Sequence, residues 1–158
     1  MASIKGVKIE RAAPSNIIEV FRFYKQYYEE FGEAKSGKMK ITKADMTDFY
    51  FKLLYEFLPD PSHVIYLARR GKAYWGIIHA QIVSKPMLGS PMALFIHTVF
   101  IRKGKRKLGV GSKLADKIEE DAVNLNAKTI EFMCRDNLVE KWEKHGAKKF
   151  LNYMIKEL

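Results

Sequence analysis

The chain has 158 residues, of which 47% are hydrophobic and 29% are charged, and its formal net charge is +10 at pH 7. These proportions are those of a globular protein and exclude a disordered chain. The length predicts one domain over residues 1–158.

Targeting signals are missing from the sequence as given. No apolar run approaches the roughly 18 residues that cross a bilayer, and Met1-Ala2-Ser3-Ile4-Lys5 has no apolar region of a signal peptide. The single cysteine, Cys134, excludes an internal disulfide and suits a reducing compartment. We therefore expect a soluble cytoplasmic protein in which Cys134, on a presumed central strand, is a buried structural thiol.

The first third of the chain reads as a strand and two helices. Residues 7–11 alternate apolar and polar side chains, which predicts a strand that ends before Pro14, and Ser15 is expected to cap the first helix. The apolar residues of that helix are Ile17, Phe21, Tyr24, Tyr28 and Phe31, with Gly32 as its stop. A polar loop, Glu33–Lys40, precedes the second helix.

The second helix is expected to start with a capping box of Thr42 and Asp45 and to end before Pro59 and Pro61. Its apolar face consists of Met46, Phe49, Tyr50, Leu53 and Phe57. The runs His63–Ala68 and Tyr74–Val83, joined through Arg69-Arg70-Gly71-Lys72, read as a hairpin. A turn centred on Gly89 leads into the strand Met92–Ile101, so three sequential antiparallel strands are predicted.

The last third begins with a helix whose apolar stripe is Val110, Leu114, Ile118, Ala122 and Leu125. A short buried strand, Thr129–Cys134, a helix from Asn137 to His145 that ends at Gly146, and a strand-like tail, Lys148–Leu158, follow. The strand–helix–strand unit of residues 94–134 predicts a right-handed parallel crossover in an otherwise antiparallel sheet. The fold class is therefore α/β (α+β), with a mixed, mostly antiparallel sheet.

The strongest chemical signal is Arg106-Lys107-Leu108-Gly109-Val110-Gly111, at the start of the third helix. Its glycines let the backbone approach a ligand, and the first helical turn directs free N–H groups at an anion. The basic residues around it are Arg102, Lys103, Lys105, Arg106 and Lys107. The spacing is neither that of a Walker loop nor that of a dinucleotide fingerprint, so the residues alone predict only a phosphate-bearing ligand.

Two stretches resemble the GCN5-related N-acetyltransferase (GNAT) superfamily. Val99-Phe100-Ile101, four residues and Arg106-Lys107-Leu108-Gly109-Val110-Gly111-Ser112-Lys113-Leu114 are similar to its motif A. Trp142-Glu143-Lys144-His145-Gly146-Ala147 is similar to the motif Tyr-Glu-Lys-x-Gly-Phe before its last strands. The order of elements matches as well, so the resemblance covers most of the chain.

The resemblance implies an enzyme with acetyl-CoA as co-substrate, held in a V-shaped cleft between two parallel strands. By position, the pyrophosphate contacts are Arg106, Lys107, Leu108, Gly109, Val110, Gly111 and Ser112. The pantetheine arm would pair with the backbone of Val99, Phe100 and Ile101, and Asn137 is similar to an asparagine that touches it, although the family's spacing to the aromatic position is about two residues longer. The acetyl group would pass directly to a primary amine, with a backbone N–H on the developing oxyanion.

His97 is the candidate general base. It lies nine residues before Arg106, where some GNAT members carry a catalytic glutamate, and imidazole titrates near neutrality. If the turn at Gly89 pairs its strands symmetrically, Gln81 lies opposite His97 and His79 lies diagonal to it, so both could orient it. A core histidine bonded to a neighbour is the alternative interpretation.

Trp142 occupies the position at which family members often place a tyrosine as general acid. Because an indole N–H is no practical acid, Trp142 is expected to pack against the cofactor or the core. Tyr153 lies nearby in the sequence, but nothing places its hydroxyl in the cleft. The missing tyrosine keeps open a non-catalytic module that binds acyl-CoA.

The two aromatic-rich helices wall the acceptor site in this family, and the loop Glu33–Lys40 could gate it. Glu29, Glu30 and Glu33 could attract a cationic amine, although ordinary surface acidic residues are the simpler explanation. The four histidines show no ligand spacing, so no metal is predicted.

The partner could be a small-molecule or protein amine, and no membrane partner is expected. The +10 charge also allows a basic RNA-associated protein, for example one that modifies aminoacyl-tRNA. The aromatic residues fall at core spacing instead of interleaving with a basic stripe, which disfavours nucleic acid as the partner. C-terminal strands of this family often form dimers, so a homodimer stays open.

Overall fold

The structure is a computed structural model that describes residues 4–31, 41–85, 90–134 and 136–149. Its strands are β1 (Lys8–Arg11), β2 (His63–Arg70), β3 (Ala73–Lys85), β4 (Ser90–Ile101) and β5 (Thr129–Phe132). Its α-helices are α1 (Ile17–Phe31), α2 (Lys43–Lys52), α3 (Val110–Asn124) and α4 (Asp136–Glu143). The predicted order of elements is confirmed over these residues, and none of their helices is long and apolar enough to cross a membrane.

Some predictions fall beyond what the structure describes. The stop at Gly32, the loop Glu33–Lys40, the turn at Gly89 and Tyr153 lie outside the described residues, as does most of the predicted strand Lys148–Leu158.

The described strands form one mixed sheet in the order β1-β2-β3-β4-β5. The first three pairings are antiparallel, and β4 pairs with β5 in parallel. The β2–β3 hairpin turns at Gly71, whose φ of +59° lies in the left-handed region that favours glycine. The predicted antiparallel strands and the parallel strand after α3 are both confirmed.

Helices cover both faces of this sheet, so its central strands are apolar on both sides. On one face, α3 packs through Val110, Leu114, Ile118 and Ala122. On the other, α1 and the chain after α2 pack against Ile65, Leu67, Ile77 and Phe100. Strand β2 is accordingly buried at five consecutive positions, as expected for a strand between two layers.

The start of α1 corrects the expected cap. Residues Pro14–Asn16 form a 3₁₀ turn before the helix, and Oδ1 of Asn16 accepts the Ala13 N–H at 2.9 Å. The side chain that hydrogen-bonds to the backbone at this end is therefore that of Asn16 and not that of Ser15. The capping box of α2 is confirmed. Asp45 donates its N–H to Thr42 Oγ1 at 3.1 Å, and Thr42 donates its N–H to Asp45 Oδ2 at 2.7 Å.

The second helix widens into a π-helical turn, Leu53–Phe57, that the periodicity did not predict. Its i→i+5 bond runs from the Leu58 N–H to the Leu53 carbonyl at 2.9 Å, and Leu53 is fully buried. The turn brings the Phe57 ring onto His63 at the start of β2, with ring centroids 4.5 Å apart. The end of this helical segment thereby contacts the polar part of the sheet.

Two predictions of burial are wrong. Leu125 is 38% exposed because α3 ends at Asn124, so Leu125 caps the helix instead of extending its stripe. Cys134 is exposed because β5 ends at Phe132 and the chain leaves the sheet two residues before the thiol. None of the four residues of β5 is fully buried, so the strand is also shorter and less buried than expected.

Candidate active site

The parallel strands β4 and β5 separate in the middle of β4. Their ladder runs from Ala93↔Thr129 to Ile96↔Phe132 and then stops, while β4 continues to Ile101. Strand β3 still pairs with the opposite edge of β4, up to Gly76↔Ile101. Within the described chain, residues 97–101 therefore have one edge that no strand pairs with, and this edge leads directly to the glycine turn.

The glycine turn begins α3 in the way that an anion site requires. Gly109 precedes the helix with φ +83°, and Lys107 also has positive φ at +64°. The first helical bond runs from the Lys113 N–H to the Gly109 carbonyl at 3.1 Å. Helix geometry leaves the N–H groups of Val110, Gly111 and Ser112 without helical acceptors, and the helix dipole favours negative charge there.

The Arg106 side chain, by contrast, is already paired. Its guanidinium donates to both carboxylate oxygens of Glu30, at 2.6 and 2.7 Å, and its Nε donates to the Ile101 carbonyl at 2.9 Å. The guanidinium also lies over the rings of Phe31 and Phe100, and the bond to Glu30 raises the Arg106 pKa. Arg106 thus links the end of α1 to the glycine turn.

A β-bulge at His97 places the side chains of two consecutive residues, His97 and Thr98, on one face of β4. Ala80 pairs with Ile96 but His79 pairs with Thr98, so His97 is an extra residue in the ladder. The consequence is visible on either side: Phe100 packs on the α1 side of the sheet, whereas Ile96, four residues earlier, packs on the α3 side. In a regular strand these two would share a face, so the bulge reverses the alternation after His97 and puts both His97 and Thr98 on the α1 face.

His97 contacts the two residues expected to orient it, although not in the expected register. Gln81 pairs with Phe95 and not with His97, because β3 and β4 do not pair symmetrically about Gly89. Gln81 Oε1 nevertheless lies 3.0 Å from His97 Nε2, and the rings of His79 and His97 are 5.0 Å apart. An amide oxygen only accepts, so His97 carries its proton on Nε2 and its lone pair on Nδ1.

A third histidine, His63, joins this cluster and was missed by the sequence reasoning. His63 Nδ1 lies 2.8 Å from Nε2 of the buried His79, and the hydroxyl of Tyr24 on α1 bonds to His79 Nδ1. His63 and Gln81 are cross-strand partners, and residues 79 and 81 lie on the same face of β3 because successive side chains of a strand point to opposite faces. Strand alternation could therefore have indicated His63, whereas Tyr24 reaches His79 only through helix packing.

Burial keeps these groups uncharged. Burial, together with the nearby His97 and His63, lowers the pKa of His79 to about 3. Packing against its neighbours also lowers the pKa of His97, with His63 adding to the effect, although its side chain stays exposed at the cleft. Burial likewise lowers the pKa of His63 and raises that of Tyr24. At neutral pH the cluster is therefore three neutral imidazoles and a phenol.

The remaining predicted contacts lie on α4 and on α1. Trp142 on α4 packs against Phe132 at the end of β5, with ring centroids 4.6 Å apart. Asn137 lies in the first turn of α4, and its side chain is outside the described part. Glu29 is exposed and lies 3.9 Å from Lys25, whereas Glu30 binds Arg106, and Glu33 is not described.

Two surface cavities flank α1, and neither includes a histidine. One of about 390 Å³ lies beside the Arg106–Glu30 pair and contains both Arg102 and Lys103 in its wall. The other, of about 520 Å³, lies between α1 and α2 and is lined mainly by apolar and aromatic side chains. Within the described residues, no group of histidine, cysteine and carboxylate side chains could hold a metal ion.

Comparison with known proteins agrees with this geometry. The model of the acetyltransferase (GNAT) family matches residues 20–147. No curated protein sequence matches the chain. Among solved structures, a putative acetyl transferase from Pyrococcus furiosus is 21% identical with a TM-score of 0.78, covering 96% of this chain and 99% of that one.

Two further structures have the same fold. An aminoglycoside acetyltransferase from an uncultured soil metagenomic sample, in complex with trehalose, is 11% identical with a TM-score of 0.73, covering 97% of each chain. A predicted acetyltransferase with acetyl-CoA from Clostridium acetobutylicum is 13% identical with a TM-score of 0.73, covering 96% of each chain. At these identities the likeness shows the fold alone.

Proposed function

Because the chain belongs to the GNAT acetyltransferase family, we propose that it is an acetyl-CoA-dependent N-acetyltransferase that transfers the acetyl group directly to a primary amine. The observation that carries this proposal is the open edge of β4 from His97 to Ile101, which continues into the start of α3. Along the chain, the candidate base His97, the open strand edge and the proposed anion site thus follow one another closely. The proposal treats residues 1–158 as a single acyltransferase domain.

The chain offers contacts for each part of acetyl-CoA. The N–H groups of Val110, Gly111 and Ser112 suit the pyrophosphate, with Lys107 and Leu108 in the same turn. The open backbone of Val99–Ile101 suits the pantetheine amides, in the manner of an added strand. Asn137 and Trp142, on α4 beyond the end of β5, are proposed contacts on the opposite wall.

In the proposed reaction, the amine nitrogen attacks the thioester carbonyl carbon. The C–N bond forms, the C–S bond breaks, and coenzyme A leaves as the thiolate. The amine proton passes to Nδ1 of His97, the ring nitrogen that is not bonded to Gln81. A positioned base increases the reaction rate roughly 10²–10⁴-fold, and holding the amine close to the thioester supplies much of the remaining acceleration.

A second candidate function is supported by Trp142. Its indole packs on Phe132 at the position of the family's usual tyrosine and supplies no acid for the departing thiolate. A protein of this fold that binds acyl-CoA without turnover would tolerate this residue. The acetyltransferase remains the better supported function because His97 and Gln81 are arranged as a base and its partner.

Calorimetric titration with acetyl-CoA, followed by a thiol-release assay over a panel of amines, tests the proposal. We expect saturable binding tighter than that of adenosine alone and thiol release with at least one amine. Binding without release for any amine would favour the second candidate, and binding no tighter than that of adenosine would contradict both.

A further inference from the structure

Two separate hydrogen-bond networks end at two histidine rings that lie side by side. Gln81 bonds to His97, whereas Tyr24 bonds to His79, which bonds to His63. The rings of His63 and His97 are 6.2 Å apart and only 19° from parallel. What each ring offers to a molecule bound at its edge depends on which of its nitrogens carries the proton.

The network that includes Tyr24 has a preferred direction. Tyr24 is a buried neutral phenol, and a phenol O–H is a stronger donor than an imidazole N–H, while an imidazole nitrogen is the better acceptor. Thr98 also hydrogen-bonds to the Tyr24 hydroxyl, and because this bond opposes the rise in the Tyr24 pKa, Thr98 is its donor. Tyr24 therefore donates its own proton to Nδ1 of His79. A neutral imidazole has one N–H, so Nε2 of His79 carries it and donates to Nδ1 of His63 at 2.8 Å. His63 then carries its own proton on Nε2.

The network that includes Gln81 fixes which nitrogen of the His97 ring carries the proton. Nε2 of His97 donates to Oε1 of Gln81 at 3.0 Å, which leaves the lone pair of His97 on Nδ1. The two rings thus present one hydrogen-bond donor, from His63, and one proton acceptor, on His97. No described residue accepts a hydrogen bond from His63 Nε2.

We propose that Tyr24, acting through His79, holds His63 as a hydrogen-bond donor beside the basic Nδ1 of His97, so that the site selects an amine with a hydrogen-bond-accepting oxygen close to its nitrogen. An amino alcohol or an amino sugar has this chemistry. The amine would bind at His97 and its oxygen at His63. Tyr24 and His79 are positioning residues in this scheme, and it rests on the proposed function for the reaction at the amine.

Nitrogen-15 NMR of the imidazoles in the unliganded protein tests the assignment without any turnover, because protonated and unprotonated ring nitrogens have well separated frequencies. We expect His63 and His97 both to carry their protons on Nε2. Tyr24→Phe should redistribute the proton on His63 and leave His97 unchanged, and Gln81→Met should do the reverse. His145, exposed at the end of α4, is the internal control and should respond to neither.

A wild-type His63 protonated on Nδ1 would overturn the proposed direction. A His63 that ignores Tyr24→Phe would overturn the role of Tyr24. Both results are independent of whether the protein acetylates anything.

A matched pair of amines tests the substrate class. Ethanolamine and n-propylamine have nearly the same size and differ in the hydroxyl group, and the ratio of their kcat/KM values in wild type is compared with the ratio in His63→Phe. Comparing ratios cancels the intrinsic difference between the amines. We expect His63→Phe to reduce the preference for ethanolamine over n-propylamine about tenfold, as for the loss of one hydrogen bond.

An unchanged ratio would overturn the substrate class. Thiol release with other amines but with neither of these two would also overturn it. Thiol release with no amine at all would instead be a failure of the proposed function.

Discussion

Glu30 and Arg106 form a two-point ion pair, with N···O distances of 2.6 and 2.7 Å, between residues 76 positions apart in the sequence. The pair links the last turn of α1 to the glycine turn, and Arg106 also bonds to the carbonyl of Ile101 at the end of β4. Both side chains are about one-quarter to one-third exposed, at 23% and 31%. The wall of the proposed acceptor site and the proposed cofactor turn are thereby mechanically connected.

We expect Glu30→Gln to lower the free energy of unfolding by about 1–2 kcal/mol, since it weakens a charge-assisted bidentate contact that is partly screened by solvent. The same change leaves the Arg106 charge without compensation next to the proposed pyrophosphate site. We therefore expect acetyl-CoA to bind roughly fivefold more tightly at low salt, equivalent to about 1 kcal/mol. Chemical denaturation and calorimetric titration measure the two effects.

Glu29→Gln is the matched control. It makes the same change of charge one residue away, at an exposed pair with 3.9 Å to Lys25, and should alter stability and affinity little. Equal effects from the two substitutions would show that the Arg106 contact is not their cause.

The glycines of the turn are predicted to differ in their tolerance of substitution. Gly109 has φ +83°, and a Cβ there would lie 3.1 Å from Ile4, so Gly109→Ala should cost about 1–2 kcal/mol and weaken acetyl-CoA binding. Gly111 lies inside α3, where a Cβ would meet only an ordinary contact of 3.9 Å with Ile101. Thermal unfolding and titration of Gly111→Ala should therefore give values near wild type. A Gly109→Ala protein as stable as wild type would contradict the strain assigned to the turn.

The proposed base predicts a pH dependence with a definite sign. Burial, aided by the nearby His63, lowers the pKa of His97 below its ordinary value of 6.5. Because a base must be unprotonated to act, protonation of His97 should reduce kcat/KM only at a pH below 6.5. His97→Ala should reduce kcat/KM by about 10²–10⁴-fold.

Gln81→Glu places a carboxylate on the Nε2–H of His97 and should move the acidic limb of the pH profile up by about one pH unit. A limb at the same pH in Gln81→Glu would argue against His97 as the group that titrates.

His79 predicts that the fold loses stability in acid. Burial lowers its pKa to about 3 in the folded state, against 6.5 when exposed, so between these values the unfolded chain binds more protons. Stability is fully present above pH 6.5 and declines as the pH falls toward 3, by about 1 kcal/mol per pH unit from this residue. His79→Gln can accept from Tyr24 and donate to His63 without titrating. Its free energy of unfolding, from denaturant titrations at several pH values, should therefore fall less steeply. Equal slopes for the two proteins would contradict this origin.

Much of the architecture was determined locally. The apolar stripe of α3 from Val110 to Ala122, the Thr42–Asp45 capping box and the left-handed Gly109 each depend on residues within a few positions of one another. Spacing and turn chemistry act over that distance, so the sequence predicted the order of elements and the proposed anion site at the start of α3. The open strand edge was expected from the resemblance and is present after Ile96.

The chemistry of the cleft was decided by tertiary structure. One extra residue in β4 puts Thr98 on the α1 face beside His97, and no local pattern specifies where such a bulge falls. His63 meets His79 through strand register, and Tyr24 meets His79 across 55 positions because α1 packs on that face. The sequence by itself therefore determined the elements and the glycine turn, since these depend on neighbouring residues. Only the packing of helices on a bulged sheet decided which side chains surround His97 and that Glu30 holds Arg106.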